Sequence, residues 1–221
     1  GRPVSLEIEA LQRKLVQGNR GGYCFEHNVL LGTALTAIGF EVIGLAARVM
    51  WNVPAGAVTP RSHMLLHLEV GGQPYLVDAG FGGLTLTGPL RLEAAVEQQT
   101  SHEPFRLVPS GAGFVMEAFV REWKPLYRFD LQPQARADYE VTNWYLSNHP
   151  RSHFVTGLIA ARAGVDRREA LRNAEWATHH RGGFTERRLL SSPSQLAQVL
   201  TETFGIHLPA DADIESAFAR L

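Results

Sequence analysis

Arg20-Gly21-Gly22-Tyr23-Cys24-Phe25-Glu26-His27-Asn28 holds the only cysteine in a chain of 221 residues. Upstream, Leu6 to Val16 has helical character and breaks at Gly18-Asn19-Arg20-Gly21-Gly22. Downstream, Val29 to Ile38 is apolar and helix-tolerant, and Gly39 is a fitting C-terminal glycine. This arrangement places Cys24 in the first turn of a buried helix, just past a flexible glycine pair. Unpaired backbone N–H groups and the helix dipole at that position favour a thiolate over a thiol. The competing reading is a small, inert apolar residue in the core. The stretch alone does not choose between them.

Composition narrows the classes. The length suits one large domain or two small ones, and 45% hydrophobic residues are enough for a sizeable core. Lys+Arg 21 against Asp+Glu 22 leaves a net charge of −1, so no global field draws nucleic acid or an anionic membrane. One cysteine excludes an intrachain disulfide and argues against a cysteine-rich zinc site, which fits a reducing compartment. No apolar run is long enough to span a bilayer, and the start carries no signal-peptide pattern. A cytoplasmic protein is expected.

From Glu41 the pattern turns to strands: Val42 to Trp51, a loop over Pro54 to Pro60, Met64 to Val70, then Tyr75 to Asp78. Gly71-Gly72 between the last two runs predicts a hairpin, and Gly80-Phe81-Gly82-Gly83 ends it. Further strands are expected at Phe105 to Val108, Phe114 to Val120 and Trp123 to Phe129. Helical signal returns at Tyr139 to Ser147 and Phe154 to Ala163, and Asp166 is placed to cap a helix over Arg167 to Ala174. A strand at Phe184 to Leu190 and a helix at Ser194 to Phe204, announced by Ser192-Pro193-Ser194, complete the series. The fold class is α+β.

A nucleophilic thiol needs a base within hydrogen-bond reach and a group to orient that base. Nine histidines are available. His63 opens the first hairpin strand and Asp78 closes the second. If Gly71-Gly72 is a two-residue loop, Val70 faces Gln73, and His63, Leu65, His67 and Asp78 share one face. A three-residue loop would put Asp78 on the opposite face. Hairpin geometry therefore allows a His–Asp pair without choosing between His63 and His67, although His67, mid-strand between leucines, reads as a packed histidine.

Other constellations are weaker. Cys24 and His27 have metal-ligand spacing, but no further cysteine supports them. His149 and His153 lie four residues apart, yet Pro150 interrupts them and no glutamate completes the motif. His179-His180 and the arginine doublets at 167, 168, 187 and 188 read as solvated faces. No metal is expected.

Four ordered blocks resemble the arylamine N-acetyltransferase family: Arg20 to Asn28, Arg61-Ser62-His63, Tyr75 to Gly83, and Asn143-Trp144-Tyr145-Leu146-Ser147-Asn148-His149-Pro150 through Phe154. Thr185-Glu186-Arg187 and Phe204-Gly205-Ile206 extend the similarity to the tail. The resemblance implies a Cys24–His63–Asp78 triad on a core related to cysteine proteases and transglutaminases. It also implies a helical segment over 1–39, an antiparallel β-barrel-like domain over 40–137, a helical segment over 138–165 and a C-terminal α/β lid over 166–221. Members carry a further pair of short helices ahead of the cysteine block, so the N-terminal bundle and one pocket wall are expected to be incomplete. The implied reaction is ping-pong acetyl transfer from acetyl-CoA, through acetyl-cysteine, to an arylamine or hydrazine. Trp51, Ser62, Phe81 and Gly82 are implied CoA contacts. Phe25, Val49, Phe81 and Phe154 are implied walls for a flat aryl ring, each open to a plain packing reading. A homodimer stays possible. The same triad would also suit a hydrolase or transglutaminase passing an acyl group to water or lysine.

Overall fold

The computed structural model describes residues 4–54 and 56–221; residue 55, inside the loop expected from Pro54 to Pro60, and residues 1–3 lie outside that range. Two compact units form, one from residues 23–142 and one from residues of 1–22 with 143–221.

The first unit is built on a seven-stranded antiparallel sheet. Its strands are β1 (Val42–Val49), β2 (Arg61–Val70), β3 (Gln73–Val77), β4 (Leu90–Arg91), β5 (Phe105–Ser110), β6 (Gly113–Val120) and β7 (Glu122–Asp130), in the order β4-β3-β2-β1-β7-β6-β5. The sheet nearly closes on itself. The segment after β4 returns to β5 through bridges at Ala94–Leu107 and Gln98–Phe105. Buried Gln98 completes the seam by exchanging side-chain hydrogen bonds with the Arg91 backbone at 2.8 Å each way. Inside lie Leu45, Leu65, Leu76, Leu107, Met116, Tyr127 and Phe129. Each such side chain contributes about 1.5–3 kcal/mol of burial.

The helix α2 (Cys24–Ala37) packs on β2, where Gly32 lies within contact of Leu66. Gly39, at φ +101°, turns the chain out of the helix as expected. Burial is less complete than the sequence suggests: Cys24, Phe25, Glu26, Asn28 and Gly32 are buried, but Thr33, Ala34, Thr36, Ala37 and Ile38 are exposed. An apolar composition all round the helix reads as a core helix; here only the first turns and one face are covered among the described residues.

The second unit contains α1 (Ile8–Leu11, continued by a wider π-type turn over Gln12–Gln17) and a four-stranded antiparallel sheet. Its strands are β8 (Ile159–Ala163), β9 (Arg167–Arg172), β10 (Glu175–His180) and β11 (Thr185–Leu189). Helix α5 (Pro193–Gln198) runs on through Val199–Thr203 and packs Leu196, Val199, Leu200 and Phe204 with Leu171 of the sheet. Helix α3 (Arg136–Asn148) is found where helix was expected.

Two expected helices are strands. Between residues 154 and 163 only the short α4 (His153–Thr156) is helical. Gly157 then becomes extended, Leu158 and Asn173 exchange hydrogen bonds at 2.7 and 3.1 Å, and Ile159–Ala163 pairs with β9. Arg167–Arg172 is a central strand, so Asp166 caps nothing and sits in the β8–β9 turn. Good helix formers were overruled by strand pairing, on both edges for β9 and on one for the edge strand β8. The β9–β10 turn is set by Asn173 at φ +55°, which a two-residue hairpin loop tolerates in asparagine. β10 carries the two histidines taken for a solvated face. There His179 meets Thr185 at 3.0 Å and His180 meets Glu186 at 2.8 Å. Both histidines are half-buried; of the arginine doublets Arg168 is buried, while Arg167, Arg187 and Arg188 are exposed as expected.

Candidate active site

The glycine pair hands over to Tyr23, extended at φ −111°, and Cys24 is the first helical residue of α2. Glu26, three residues into the helix, reaches back to accept from the Tyr23 N–H at 3.0 Å. That bond fixes where the helix begins. Cys24 thus occupies the turn whose backbone N–H groups lack intrahelical partners. Burial, then the charges of Cys24 and Glu26, push the Tyr23 phenol well above its ordinary range, so it stays neutral.

The β2–β3 hairpin has the two-residue loop: Val70 faces Gln73 and His67 faces Leu76. His63, Leu65, His67 and Asp78 consequently share the inner face, and His63 lies one diagonal from Asp78. His63, not His67, is the histidine that meets Asp78. His63 Nε2 is 2.7 Å from Asp78 Oδ2, with side chains 3% and 0% exposed. His67 Nε2 is buried with no hydrogen-bond partner among the described residues.

A bulge completes the approach. On β1, Ala47 faces His63 and Arg48 faces Arg61, leaving Ser62 as the extra residue. Its carbonyl accepts from Cys24 Sγ at 3.7 Å, which brings the thiol to the strand that carries His63. With Nε2 taken by Asp78, the remaining ring nitrogen, Nδ1, is the one left for the thiol.

Asp78 accepts four hydrogen bonds. Oδ2 receives His63 and the Tyr127 hydroxyl at 3.0 Å; Oδ1 receives Asn28 Nδ2 at 3.0 Å and the Gly80 N–H at 2.9 Å. Burial alone would raise this carboxyl, but His63, Asn28 and Gly80 outweigh it and hold the value below the ordinary one. Burial alone would likewise lower His63; the charge and hydrogen bond of Asp78, helped by Cys24, raise it to about 10. The imidazole therefore favours its protonated form, the state that pairs with a thiolate. Phe81 and Tyr127 enclose the ring at centroid distances of 5.1 and 4.8 Å.

Gly80 is required by space. A Cβ there would lie 2.5 Å from Cys24 Cα and 3.0 Å from Asn28 Nδ2. The loop after it is tied back by Thr85, whose hydroxyl donates to Asp78 O at 2.9 Å, and Gly82 adopts φ +85°.

Of the other residues singled out, Ser62 and Phe81 touch Cys24 and His63, and Gly82 follows in the same loop. Trp51 packs against the barrel core. Val49 pairs with Tyr127 on β7. Phe25 is buried, its ring 5.7 Å from Tyr23 and 5.5 Å from Tyr139. Phe154 lies on α4 in the other unit, 4.1 Å from the His153 ring. Three contributors escaped the sequence reading: Tyr127, Asn28 as a ligand of Asp78, and the Ser62 carbonyl. Only Asn28 left a signal, four residues from Cys24 and so on the same helix face. Among the described residues no group of three or more His, Cys, Asp or Glu could hold a metal ion, and no helix is long and apolar enough to cross a membrane.

With this geometry in place, the likeness to known proteins is specific. A family model described as N-acetyltransferase matches residues 1–213. The arylamine N-acetyltransferase of Mycolicibacterium smegmatis is 47% identical over 228 residues, covering 100% of this chain and 82% of that protein. That of Mycobacterium tuberculosis H37Rv is 46% identical over 213 residues, covering 94% and 75% respectively. The structure of Mycobacterium marinum arylamine N-acetyltransferase in complex with CoA superposes with a TM-score of 0.94 at 44% identity, covering 99% of this chain and 82% of that one. The Cys–His–Asp cluster thus sits on a fold shared along nearly the whole chain, and this chain belongs to the arylamine N-acetyltransferase family.

Proposed function

We propose that Cys24, His63 and Asp78 form the catalytic triad by which this chain moves an acetyl group from acetyl-CoA to an arylamine or hydrazine. The observation that carries the assignment is the buried His63–Asp78 pair standing where the first turn of α2 delivers the thiol.

The steps follow from the groups present. The Cys24 proton passes to His63 Nδ1, giving a thiolate beside an imidazolium that Asp78 holds in place and balances in charge. The thiolate adds to the thioester carbonyl of acetyl-CoA. The tetrahedral intermediate expels the CoA sulfur, which takes the proton from His63 and leaves as the free thiol. The acceptor nitrogen then adds to acetyl-Cys24 and gives a proton to His63. Collapse breaks the C–S bond and releases the amide, restoring the thiolate–imidazolium pair. Each half-reaction leaves the enzyme in a stable form, so the kinetics are ping-pong. The backbone N–H of Cys24, in the helical turn that lacks intrahelical acceptors, is the donor for the oxyanion of both intermediates.

Ser62, Phe81, Gly82 and Trp51, the last packed on the barrel core, are the positions proposed to receive the pantetheine arm. Gly82 allows close backbone approach, and Phe81 offers an aromatic face beside His63. Val49 and Phe81 bound the acceptor ring, and Phe25 shapes that wall from within the core.

Intact mass spectrometry tests the proposal. Incubation with acetyl-CoA should add one acetyl group to Cys24, and an aromatic amine should discharge it with formation of the N-acetyl product. Failure of Cys24 to acquire the group, together with sluggish iodoacetamide labelling at pH 7, would remove the catalytic reading.

A further inference from the structure

Asn28 is fully buried, with 0% exposure, one helical turn after Cys24 on α2. A side-chain amide offers two donors and a carbonyl acceptor. Nδ2 donates to the Met64 carbonyl at 2.7 Å and to Asp78 Oδ1 at 3.0 Å; Oδ1 accepts from the Ala79 N–H at 3.0 Å. Two oxygens face one end of the amide and an N–H faces the other, so the network admits a single orientation of the group.

The partners are the neighbours of the triad. Met64 follows His63 on β2, Ala79 follows Asp78, and the third partner is Asp78 itself. Without a restraint on Oδ1, the Asp78 carboxylate would turn about its Cβ–Cγ bond. Asn28 and the Gly80 N–H hold Oδ1, which leaves Oδ2 aimed at His63. We infer that Asn28 is a positioning residue whose single amide fixes α2, β2 and the Asp78 loop in the register that lets Cys24, His63 and Asp78 act together.

The inference rests on the triad reading above, so its test includes a measurement that needs no acyl donor. In Asn28→Asp, the carboxylate keeps an acceptor for Ala79 but turns an oxygen toward Asp78 Oδ1 and the Met64 carbonyl. One proton must then be shared among these groups. The groups facing the site are Asp78, His63, Cys24 and the Tyr127 hydroxyl, with Glu26 on the same helix. Iodoacetamide labelling of Cys24 is followed from pH 5 to 9 in the native chain, Asn28→Asp and Asn28→Ala, alongside the acetylation burst and the thermal midpoint.

A charge-assisted hydrogen bond is lost, so both variants should label and acetylate about 10- to 100-fold more slowly at pH 7.5 while remaining folded at 25 °C. Asn28→Asp should recover part of its rate toward acid pH, as protonation restores a donor; Asn28→Ala should not. A purely structural role would lower the thermal midpoint and leave labelling rate and pH profile superposable on the native ones, which would overturn the inference. Should Asn28→Asp fail to fold, a native labelling profile in Asn28→Ala would overturn it equally. Failure of the native chain to acetylate would count against the transferase reading alone, because the labelling comparison stands without acetyl-CoA.

Discussion

Replacing Asp78 by Asn probes the site with little change of shape. Four donors converge on this carboxylate, at 2.7, 2.9, 3.0 and 3.0 Å. An amide has one oxygen to offer them. The Gly80 N–H cannot turn away and Asn28 is fastened by Met64 and Ala79, so the new oxygen must take the Oδ1 position. The new NH2 group then points at His63 Nε2 and the Tyr127 hydroxyl. Tyr127 can rotate its O–H and accept. His63 can accept only by moving its proton to Nδ1, the nitrogen that should receive the thiol proton. The wrong tautomer is imposed, and the charge that held the imidazole at about 10 is gone, leaving burial to lower it. Loss of the equivalent carboxylate in a triad costs about 10⁴-fold in rate by the same tautomer argument.

Asp78→Asn should therefore acetylate Cys24 about 10³- to 10⁴-fold more slowly, measured by rapid-quench intact mass at pH 7.5. Folding should survive. All four hydrogen bonds can be remade, two of them with donor and acceptor exchanged, and a neutral His63 leaves no unpaired buried charge, so the cost is the lost charge assistance of the His63 bond, about 1.5–3 kcal/mol. Circular dichroism at 25 °C should match the native chain. An acetylation rate within tenfold of native in a folded variant would refute the role given to Asp78.

Three further outcomes follow. Gly80→Ala drives a Cβ to 2.5 Å from the Cys24 backbone; overpacking of about 1–3 kcal/mol should lower the thermal midpoint by several degrees, and acetylation should fall with it. Tyr127→Phe removes one donor from Asp78 and keeps the ring beside His63, so the fold should hold and acetylation slow by roughly 3- to 10-fold in a stopped-flow trace. The third concerns pH. Folding raises the His63 value from 6.5 to about 10, so the native state binds the proton more tightly than the unfolded chain. That stabilisation is complete below pH 6.5 and is lost as pH climbs toward 10. Urea midpoints should decline across this interval more steeply in the native chain than in His63→Gln; parallel slopes would contradict the raised value.

Legibility from sequence tracked the range of the interaction. The α2 start was readable because a glycine pair and an apolar run act locally. The hairpin was readable in its existence, since Gly71-Gly72 marks a turn and a period of two ties faces to loop length; the length itself came from the observed pairing of Val70 with Gln73. The second unit was harder. Arg167 to Arg172 and Ile159 to Ala163 contain residues that favour helices, and only pairing makes strands of them, on both sides for the first and with β9 for the second. Exposure of the far half of α2 was equally hidden, because composition does not say which apolar faces find a partner.

The site divides the same way. Residue types announced a nucleophile, a base and a carboxylate, and local rules put two of them on one strand pair. What ties these three side chains into one connected cluster is a set of polar contacts spanning 36 to 51 positions in sequence, from Asn28 to Met64, Asp78 and Ala79. To these the structure adds a bulge carbonyl at Ser62 and a hydroxyl from β7. Such contacts leave no periodic trace, because each uses a single side chain or a single irregular backbone group. They also explain why a buried aspartate can remain ionised here. Two fixed N–H donors and a phenol supply, inside the barrel, the solvation that water gives at the surface, and His63 supplies the opposite charge. Remove one of these and the others still carry most of the desolvation cost; remove two and that cost falls on the pair that remains. On that account the variants of Asp78, Asn28 and Tyr127 should be non-additive: the double variant Asn28→Ala with Tyr127→Phe should lose more than the product of the two single losses, because Asp78 then keeps only His63 and Gly80.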